Sequence, residues 1–318
     1  MMPPDSFSLV KLTDQHMTRQ RIHMPRKPAY YPSEASVVWK DHSGQQRTSG
    51  TCLRAAWFRV TGYAEKQGTV LHSDPYSEWI FALGKHVEII LVEQWKQMGI
   101  WVANNVEFYD AEHNISGEVD CIIRHSATGE LIGTEEKSFY GYNATKQICG
   151  NKSTVPSPKT SQLLQTLIYV DQFRDRMFID QGQEKKIEYF KMVYYARDSA
   201  SRNEFDISLI EDASDPSRGI LHRPLINGIA DSRFHLEDIY DRYSLLDQYV
   251  KAGEIPPPDY EPVWSPEKVY ARQALGEVAK TTFEKWQKKP KQNPIGDWQC
   301  QAYCKYRNIC WKDGKQQL

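Results

Sequence analysis

The chain has 318 residues, of which 40% are hydrophobic and 25% charged, and its formal net charge is −1. This composition can bury one large or two modest cores, and the near-neutral balance argues against a protein that coats nucleic acid by charge alone. No apolar run approaches the roughly 20 residues of a membrane span, and the N-terminus lacks a secretory signal pattern. We therefore expect an intracellular protein without a membrane partner.

Hydrophobic periodicity predicts an irregular N-terminal arm followed by two helices. Residues 1–48 are polar and contain several prolines, which is typical of a segment without regular structure. A short helix is predicted over 49–63, ending at Gly62, and a long helix over 75–99, ending at Gly99. The apolar stripe that identifies the longer helix consists of Val87, Ile90, Leu91 and Trp95.

The spacing of apolar residues then changes to that of strands. Residues 100–142 indicate successive strands, two of which are joined by a turn at His125–Gly129. The remaining predicted elements are a helix over 157–177, a strand over 186–198, and helices over 235–258 and 266–289. This order predicts an α/β fold with a mixed central sheet flanked by helices. The chain contains no G-x-x-x-x-G-K-[ST] motif, which argues against a P-loop nucleotide site.

Two acids and a lysine are predicted to meet on one face of this sheet. Residues i and i+2 of a strand share a face, so Glu135 and Lys137 point the same way and Glu136 points the opposite way. If the strands on either side of the turn pair, Asp120 lies next to Glu135. Carboxylates are the ligands that hard divalent cations prefer, and such a cation can act on a phosphate group. The alternative is a solvent-exposed hairpin, on which Glu and Lys are ordinary.

Further polar residues lie on the neighbouring helices. Gln165 and Tyr169 are four residues apart, so they share one face of the 157–177 helix. On the earlier helix, His86 or Glu88 offers a third inward acid or base. The alternatives are an amphipathic helix with one polar position and a structural histidine.

Three of the six cysteines fall within the C-terminal segment WQCQAYCKYRNICW, at Cys300, Cys304 and Cys310. In an intracellular protein they are thiols or metal ligands rather than disulfides. Their spacing alone does not distinguish a structural Zn²⁺ site from an iron–sulfur cluster or from thiols that bind nothing. Cys121 directly follows Asp120 and is expected to face the core, and Cys149 is expected in a loop. From residue 280 onward, nine lysines and arginines against three acids give a formal charge of +6, which fits a phosphate-facing surface.

The motifs in order are LGKHVE, ISGEVD, EEK, QLLQTLIY and the late cysteine triplet. This series resembles the PD-(D/E)XK nuclease superfamily. More narrowly, it is similar to the RecB/AddB-like exonucleases with an iron–sulfur cluster, including stand-alone CRISPR-adaptation nucleases. The resemblance spans roughly residues 49–311. It implies an N-terminal arm over 1–48, a restriction-endonuclease-like core over 49–260, and a basic helical and iron–sulfur segment over 261–318.

The resemblance also implies roles at the acidic site. Asp120, Glu135 and the backbone carbonyl of Glu136 would bind Mg²⁺ or Mn²⁺, and Lys137 would be catalytic. As a hypothesis, Lys137 would position the attacking water or neutralise charge that builds on the phosphate.

Two other motifs of the group border this site. Gln165 and Tyr169 match the Q-x-x-x-Y motif, which implies contact with the active site and DNA. The group usually has a histidine four residues after a glycine in its first motif. Counted from Gly84 that position is Glu88, whereas His86 comes two residues earlier. Glu88 is therefore the preferred metal ligand, with His86 as the alternative.

For the cysteines, the resemblance implies that one early cysteine joins the late three. Cys52 lies in SGTCLRAAWF, similar to the C-x-R start of the group, so that four thiolates would hold a four-iron–four-sulfur cluster. The alternative is Zn²⁺. The late triplet here reads C-x₃-C-x₅-C, one residue longer than the C-x₂-C-x₅-C of the group. We expect a structural role for the cluster.

The sequence thus predicts a metal-dependent deoxyribonuclease, an exonuclease acting on single-stranded DNA ends in recombination, repair or spacer acquisition. The resemblance implies partners from recombination or CRISPR adaptation, in the cytoplasm of a prokaryotic or phage-infected cell. The alternatives are a catalytically idle DNA-binding or end-processing subunit of a larger complex, and a zinc-stabilised scaffold. Trp298, Tyr303 and Tyr306 are candidates for base stacking, although packing around the cluster is favoured.

Overall fold

The computed structural model of the protein describes residues 8–20, 29–41, 43–66, 75–312 and 315–316. The α-helices are α1 (Leu9–Gln20), α2 (Leu53–Thr61), α3 (Tyr63–Lys66), α4 (Pro75–Gln97), α5 (Tyr142–Cys149), α6 (Thr160–Phe173), α7 (Leu236–Ala252), α8 (Pro266–Ala274), α9 (Lys280–Lys288) and α10 (Arg307–Cys310). The strands are β1 (Ser36–Lys40), β2 (Gln46–Gly50), β3 (Trp101–Asp110), β4 (Ile115–Arg124), β5 (Leu131–Phe139), β6 (Phe178–Asp180), β7 (Gln183–Lys185), β8 (Ile187–Ala196), β9 (Arg202–Asp212), β10 (Leu221–Ile226), β11 (Ile229–Ala230), β12 (Trp311–Lys312) and β13 (Lys315–Gln316). Within these residues no helix is both long enough and apolar enough to span a bilayer.

The central sheet has seven strands in the order β11-β10-β9-β8-β5-β4-β3. Its β5–β8 pair is parallel and its other pairs are antiparallel. A parallel pair needs a long crossover connection, and α5, α6 and the β6–β7 hairpin lie in that connection. The predicted α/β fold with a mixed central sheet flanked by helices is confirmed.

Helix α6 is buried over most of its length because apolar residues surround it. Leu163, Leu164, Leu167 and Phe173 are fully buried. The ring of Phe173 packs edge-on against the ring of Phe190 on β8, with centroids 6.3 Å apart. Burying an aromatic or leucine side chain of this kind contributes about 1.5–3 kcal/mol each, so α6 is a major part of the core.

Gly133 lets the sheet and the aromatic core approach closely. A Cβ atom built at this position would come within 2.3 Å of the Phe190 ring. No side chain fits there unless that ring moves, because real Cβ contacts are never so short. Gly133 lies two residues before Glu135 on β5 and therefore on the same face of the strand.

Helix α4 packs against the sheet through a second apolar cluster. Val92 contacts the cluster that includes Cys121, Ile123 and Ile132, and Trp95 packs against it. Cys121 thus faces the core, as predicted. The predicted stripe of α4 is partly wrong, because Ile90 is 60% exposed.

Some predicted elements need correction. The segment 1–48, predicted to be an irregular arm, contains helix α1 and strand β1, and β1 pairs with β2 in an antiparallel hairpin in which Val37 is fully buried. The helix predicted over 266–289 is two helices, α8 and α9, separated around Gly276, whose φ of 74° is left-handed. Cys149 ends helix α5 instead of lying in a loop.

The described residues group into two compact units. One contains those within 1–51 and 73–247, and the other those within 52–72 and 248–318. The second unit therefore joins α2 to the C-terminal part of the chain. Its contacts include the Leu53 backbone N–H, which donates to Asp259 Oδ2 at 2.6 Å, and Arg54 Nε, which donates to the Pro256 carbonyl at 2.6 Å.

Candidate functional site

The β4–β5 hairpin brings Asp120, Glu135 and Lys137 together in the first unit. Cys121 pairs with Thr134 in the antiparallel register, which places the next pair, Asp120 and Glu135, side by side. The backbone N–H of Glu136 donates to Asp120 Oδ2 at 2.9 Å. Lys137 Nζ forms an ion pair with Glu135 Oε1. The predicted juxtaposition of these side chains is what the structure contains.

Burial dominates the electrostatics of this group. Glu135 is fully buried, and burial, followed by the charge of Asp120, raises the pKa of its carboxyl, while Lys137 opposes the shift. For Lys137, burial lowers the pKa, but the charges of Glu135 and Asp120 outweigh it and raise that pKa above its usual value. Lys137 is therefore a cation at neutral pH, held beside Glu135, whose ionisation burial opposes.

Glu136 faces the other way, as predicted for its strand position. Its Oε1 accepts a hydrogen bond from Thr134 Oγ1 at 2.5 Å, and Thr134 Oγ1 also lies 3.1 Å from the Cys121 carbonyl. Burial, followed by the charge of Asp120, raises the pKa of Glu136. Its side chain is 7% exposed, so this acid is held in the interior without a cationic partner among the described residues.

The Gln165 and Tyr169 pair borders the site from helix α6. Gln165 Nε2 donates to Tyr169 OH at 2.8 Å, so the two side chains act as one unit. Burial, followed by the charge of Glu135, raises the pKa of Tyr169. The buried phenol is thus neutral and lies within electrostatic range of the acids.

On helix α4 the structure distinguishes His86 from Glu88. Glu88 is ion-paired with Lys85 and its side chain is 18% exposed. His86 is exposed, and its Nδ1 lies 2.8 Å from the Ala82 carbonyl. Burial lowers the pKa of Lys85, but Glu88, Asp120 and Glu118 together raise it. Helix α4 therefore presents a Lys85–Glu88 pair, rather than His86, towards the charge of Asp120.

Oxygen atoms without partners test whether these acids suit a divalent cation. Glu135 Oε2 and Glu136 Oε2 are buried and have no hydrogen-bond partner within the described residues. Carboxylate oxygens in this condition suit a hard cation such as Mg²⁺ or Mn²⁺. In the same residues, no group of three or more His, Cys, Asp or Glu side chains is arranged to hold a metal ion. The donor chemistry therefore fits a cation, whereas the side-chain arrangement is not that of a preformed metal centre.

The second unit contains the four cysteines that the sequence singled out. Burial, followed by the charges of Cys304 and Cys52, raises the pKa of Cys300 to about 12. Burial, followed by Cys304 and also Cys52, raises the pKa of Cys310 to about 12. The four side chains are thus close enough to affect one another electrostatically. None of them is in a disulfide.

These thiols have the chemistry of a soft-metal site. Cys52 lies immediately before α2 and Cys310 ends α10. Cys300 lies within a π-helical turn over Gln299–Tyr303, and Cys304 is the residue that directly follows this turn. Burial also raises the pKa of Cys52 and of Cys304, so without a bound ion the group is neutral. Thiolate sulfur is the ligand of iron–sulfur clusters and of structural Zn²⁺, so the donor chemistry suits either. The arrangement of these cysteines, like that of the acids, is not that of a preformed metal centre within the described residues.

The aromatic residues of the C-terminal segment differ in their surroundings. Tyr306 is buried and its ring lies 5.3 Å from that of Phe58, so Tyr306 packs in the interior as favoured. Trp298 is 61% exposed. The side chain of Tyr303 lies outside the described part of the chain.

Comparisons with known proteins do not assign the chain to a family. No family model matches the chain, and no curated protein matches it. A solved structure titled "Crystal structure of SSO0001" is similar with a TM-score of 0.41 and 13% identity, over 95% of each chain. A likeness of this degree carries no argument about fold or function.

Sequence patterns did not identify several charged or polar residues near the acidic site. Lys85 lies three residues before Glu88 on one helix face, a spacing that could have identified it. Tyr194 on β8 pairs with Lys137 in the parallel register, which no local pattern predicts. Lys159, directly before α6, and Arg197, directly after β8, lie just outside regular elements, where periodicity gives no signal.

Proposed function

We propose that the chain is a metal-dependent deoxyribonuclease that hydrolyses phosphodiester bonds, acting as an exonuclease on single-stranded DNA ends. The observation that carries the proposal is the arrangement of Asp120, Glu135 and Lys137 on one hairpin, with Glu135 buried and one of its oxygens without a partner. The resemblance of the sequence motifs to PD-(D/E)XK nucleases supports the same assignment. On this proposal the sheet belongs to a restriction-endonuclease-like core.

In this proposal Asp120, Glu135, the backbone carbonyl of Glu136 and Glu88 would hold Mg²⁺ or Mn²⁺. When bound, the cation would supply Lewis-acid activation of the phosphate and of the attacking water. The chain's own contribution begins with Glu135 and Asp120, which give the site the negative charge that a cation requires. The hydrogen bond from the Glu136 backbone N–H fixes the orientation of the Asp120 carboxylate.

Lys137 supplies the fixed positive charge of the mechanism. Its raised pKa keeps the ammonium protonated, so it stabilises negative charge that develops on the phosphate oxygens and orients the water by hydrogen bonding. Acting from a largely buried position, this charge is screened less than a surface lysine would be. Gln165 and Tyr169 are proposed to hold the DNA strand beside the acids.

The proposal includes a four-iron–four-sulfur cluster on Cys52, Cys300, Cys304 and Cys310, with structural Zn²⁺ as the alternative. Four free thiols that share one neighbourhood in the second unit support it. When bound, the cluster would cross-link the start of α2 to the C-terminal segment.

The test of catalysis is Mn²⁺- and Mg²⁺-dependent degradation of end-labelled single-stranded DNA. Lys137→Ala and Asp120→Ala should each lower the rate at least about 10²-fold, because each removes a charge that acts on the transition state. The matched control is Lys191→Ala, a lysine on β8 that pairs with Glu204 and Asp206. Wild-type rates in folded Lys137→Ala and Asp120→Ala proteins would contradict the catalytic assignment and leave a DNA-binding module or a scaffold.

A further inference from the structure

Two cations lie at the end of the parallel β5–β8 pair. Lys159 immediately precedes α6, and its backbone N–H donates to Tyr194 OH at 3.3 Å. Arg197 directly follows β8, and its backbone N–H donates to the Phe139 carbonyl at the end of β5, at 2.8 Å. Arg197 is therefore anchored by its backbone at the carboxyl ends of β5 and β8, and the Lys159 backbone is held by the side chain of Tyr194, two residues before the end of β8. Open α/β sheets bind their ligands at such ends.

The positive charges of these two residues are not neutralised within the described residues. Neither Lys159 nor Arg197 forms an ion pair there. Arg197 Nη1 donates to the Ile80 carbonyl at 3.3 Å, while its Nε is buried without a hydrogen-bond partner. Burial, followed by the charge of Arg197, lowers the pKa of Lys159, and no acid opposes that shift. Two neighbouring cations without an ion-paired acid among the described residues give this corner a positive charge that suits an anion.

Other features of the same corner add positive potential. Lys159 is the N-cap of α6, a helix of 14 residues, whose dipole places partial positive charge at this end. Arg233 Nη1 donates to Thr160 Oγ1 at 3.1 Å in the first turn, although its charge is paired with Asp231. The helix end does not make the site alone. It reinforces two side chains whose charges lack partners.

The corner connects directly to the proposed catalytic residues. Tyr194, which accepts the hydrogen bond from the Lys159 backbone, pairs with Lys137 in the β5–β8 register. Tyr194 OH also donates to Gln162 Oε1 at 2.8 Å, which fixes the phenol between the helix and the strand. If one phosphodiester of a nucleic acid strand lies at Lys137, the neighbouring phosphates lie towards one end or the other of the β5–β8 pair. At the Lys159–Arg197 end, neither cation forms an ion pair within the described residues, so this end can attract a phosphate.

We propose that Lys159 and Arg197 bind one phosphate group of the nucleic acid strand, next to the phosphodiester that lies at Lys137. The inference rests on the proposed nuclease function and extends it by naming a substrate-binding subsite. Arg197 supplies a planar guanidinium that suits two phosphate oxygens, and Lys159 supplies a point charge. Neither residue touches the reacting bond, so both act in positioning.

The test is binding of a fluorescently labelled single-stranded oligodeoxynucleotide, measured by anisotropy in EDTA so that no cleavage occurs. Lys159→Met keeps the length of the side chain and removes its charge, and Arg197→Gln keeps its polar character and removes its charge. We expect each variant to weaken binding about 5- to 10-fold at low salt. The slope of log affinity against log salt should fall by about 0.7 for each lost contact. Lys159→Arg should restore most of the affinity.

Matched variants separate this subsite from general charge and from catalysis. Lys191→Met, whose lysine is compensated by acids on β9, should bind as wild type does. Lys137→Ala should lose cleavage yet keep the Lys159- and Arg197-dependent part of the salt slope. If cleavage by the wild type is absent while this dependence persists, the catalytic proposal fails and the subsite stands.

Two results would overturn the subsite. One is wild-type affinity and salt slope in both folded charge-removal variants, with folding checked by circular dichroism. The other is binding of a free phosphate ion in place of a phosphate group of a nucleic acid. If the wild type does not bind the oligonucleotide but inorganic phosphate raises its Tm, and Lys159→Met and Arg197→Gln abolish that rise, the pair binds a free phosphate ligand instead of a nucleic acid strand.

Discussion

The two units of this chain concentrate opposite kinds of metal-ligand chemistry. The first holds hard carboxylate oxygens at Asp120 and Glu135, and the second holds soft thiols at Cys52 and the C-terminal triplet. The acids meet because one hairpin register brings them together, whereas the thiols meet because the start of α2 shares a unit with the end of the chain. A local site follows from strand pairing, but a site built from distant segments depends on the closure of the whole unit.

The two sites also differ in how they carry charge. The acidic site contains a cation of its own, since Lys137 is paired with Glu135. The thiol site is neutral in the absence of an ion, because burial raises the pKa of each cysteine. Ligation of a soft metal needs thiolates, so binding there must release protons and will depend strongly on pH.

The largest expected effect comes from removing one thiol of the second unit. Cys52→Ser or Cys310→Ser should lower the iron or zinc content per chain at least about tenfold, because each removes one of four ligands. Metal analysis and absorbance near about 400 nm, expected for iron–sulfur thiolates, measure it. The matched control is Cys121→Ser, a cysteine buried against α4 whose pKa is also raised to about 12. Unchanged metal content in the Cys52 variant, or an equal loss of metal in the Cys121 variant, would contradict a metal site built from Cys52 and the C-terminal triplet.

A moderate effect should separate the two candidate ligands on α4. Glu88→Gln should lower Mn²⁺-dependent nuclease activity about 10- to 100-fold, because it perturbs the Lys85 pair beside Asp120. His86→Gln should leave the rate unchanged, since that side chain is exposed. The measurement is initial rate against Mn²⁺ concentration for each variant. The reverse ranking would assign the first motif to His86.

The smallest expected effect is on the stability of the first unit. It concerns two buried acids, Asp180, which has cationic partners, and Glu136, which has none among the described residues. Hydrogen bonds from Arg124 lower the pKa of Asp180 to about 2. Burial opposes this shift, and Lys185 adds to it. Asp180→Asn should therefore lower the free energy of unfolding at pH 7 by about 1–3 kcal/mol. Glu136 has its pKa raised by burial, so Glu136→Gln should raise that free energy by about 1 kcal/mol.

The pH dependence of these two variants should distinguish the causes. For Asp180 the folded pKa lies below the unfolded value, so its contribution is present above about pH 4 and is lost as pH falls towards about 2. For Glu136 the folded pKa lies above the unfolded value, so the destabilising effect is present at neutral pH and disappears on acidification below about pH 4. Denaturant unfolding at several pH values measures both. A gain on Asp180→Asn, or a loss on Glu136→Gln, would show that ionisation is not what sets the sign.

Local patterns predicted the elements of the site well. Alternation along β5 placed Glu135 and Lys137 on one face, and alternation along β4 placed Cys121 in the core, as found. The helix ends at Gly62 and Gly99 were also correct, and both residues adopt left-handed backbone conformations. Such features depend on residues within a few positions of each other, which is the range over which periodicity and turn chemistry act.

Features that depend on distant pairing were not predicted. The insertion of β8 beside β5, which brings Tyr194 to Lys137, joins segments that no periodicity relates. The β1–β2 hairpin was missed because each strand has only five residues and β2, QRTSG, is polar. The proximity of Lys159 to Arg197 was not predicted either. Each residue lies just outside a regular element, and the two come together only because β8 pairs with β5.

Gly133 has a consequence for which substitutions this protein can tolerate. Because a Cβ atom there would collide with Phe190, replacing the glycine would displace a ring that lies 6.3 Å from that of Tyr169. A random mutagenesis library selected only for folded protein should therefore retain glycine here as strictly as an activity screen retains Lys137. Intolerance to substitution in β5 would then reveal two unrelated requirements within five residues, one for chemistry and one for space.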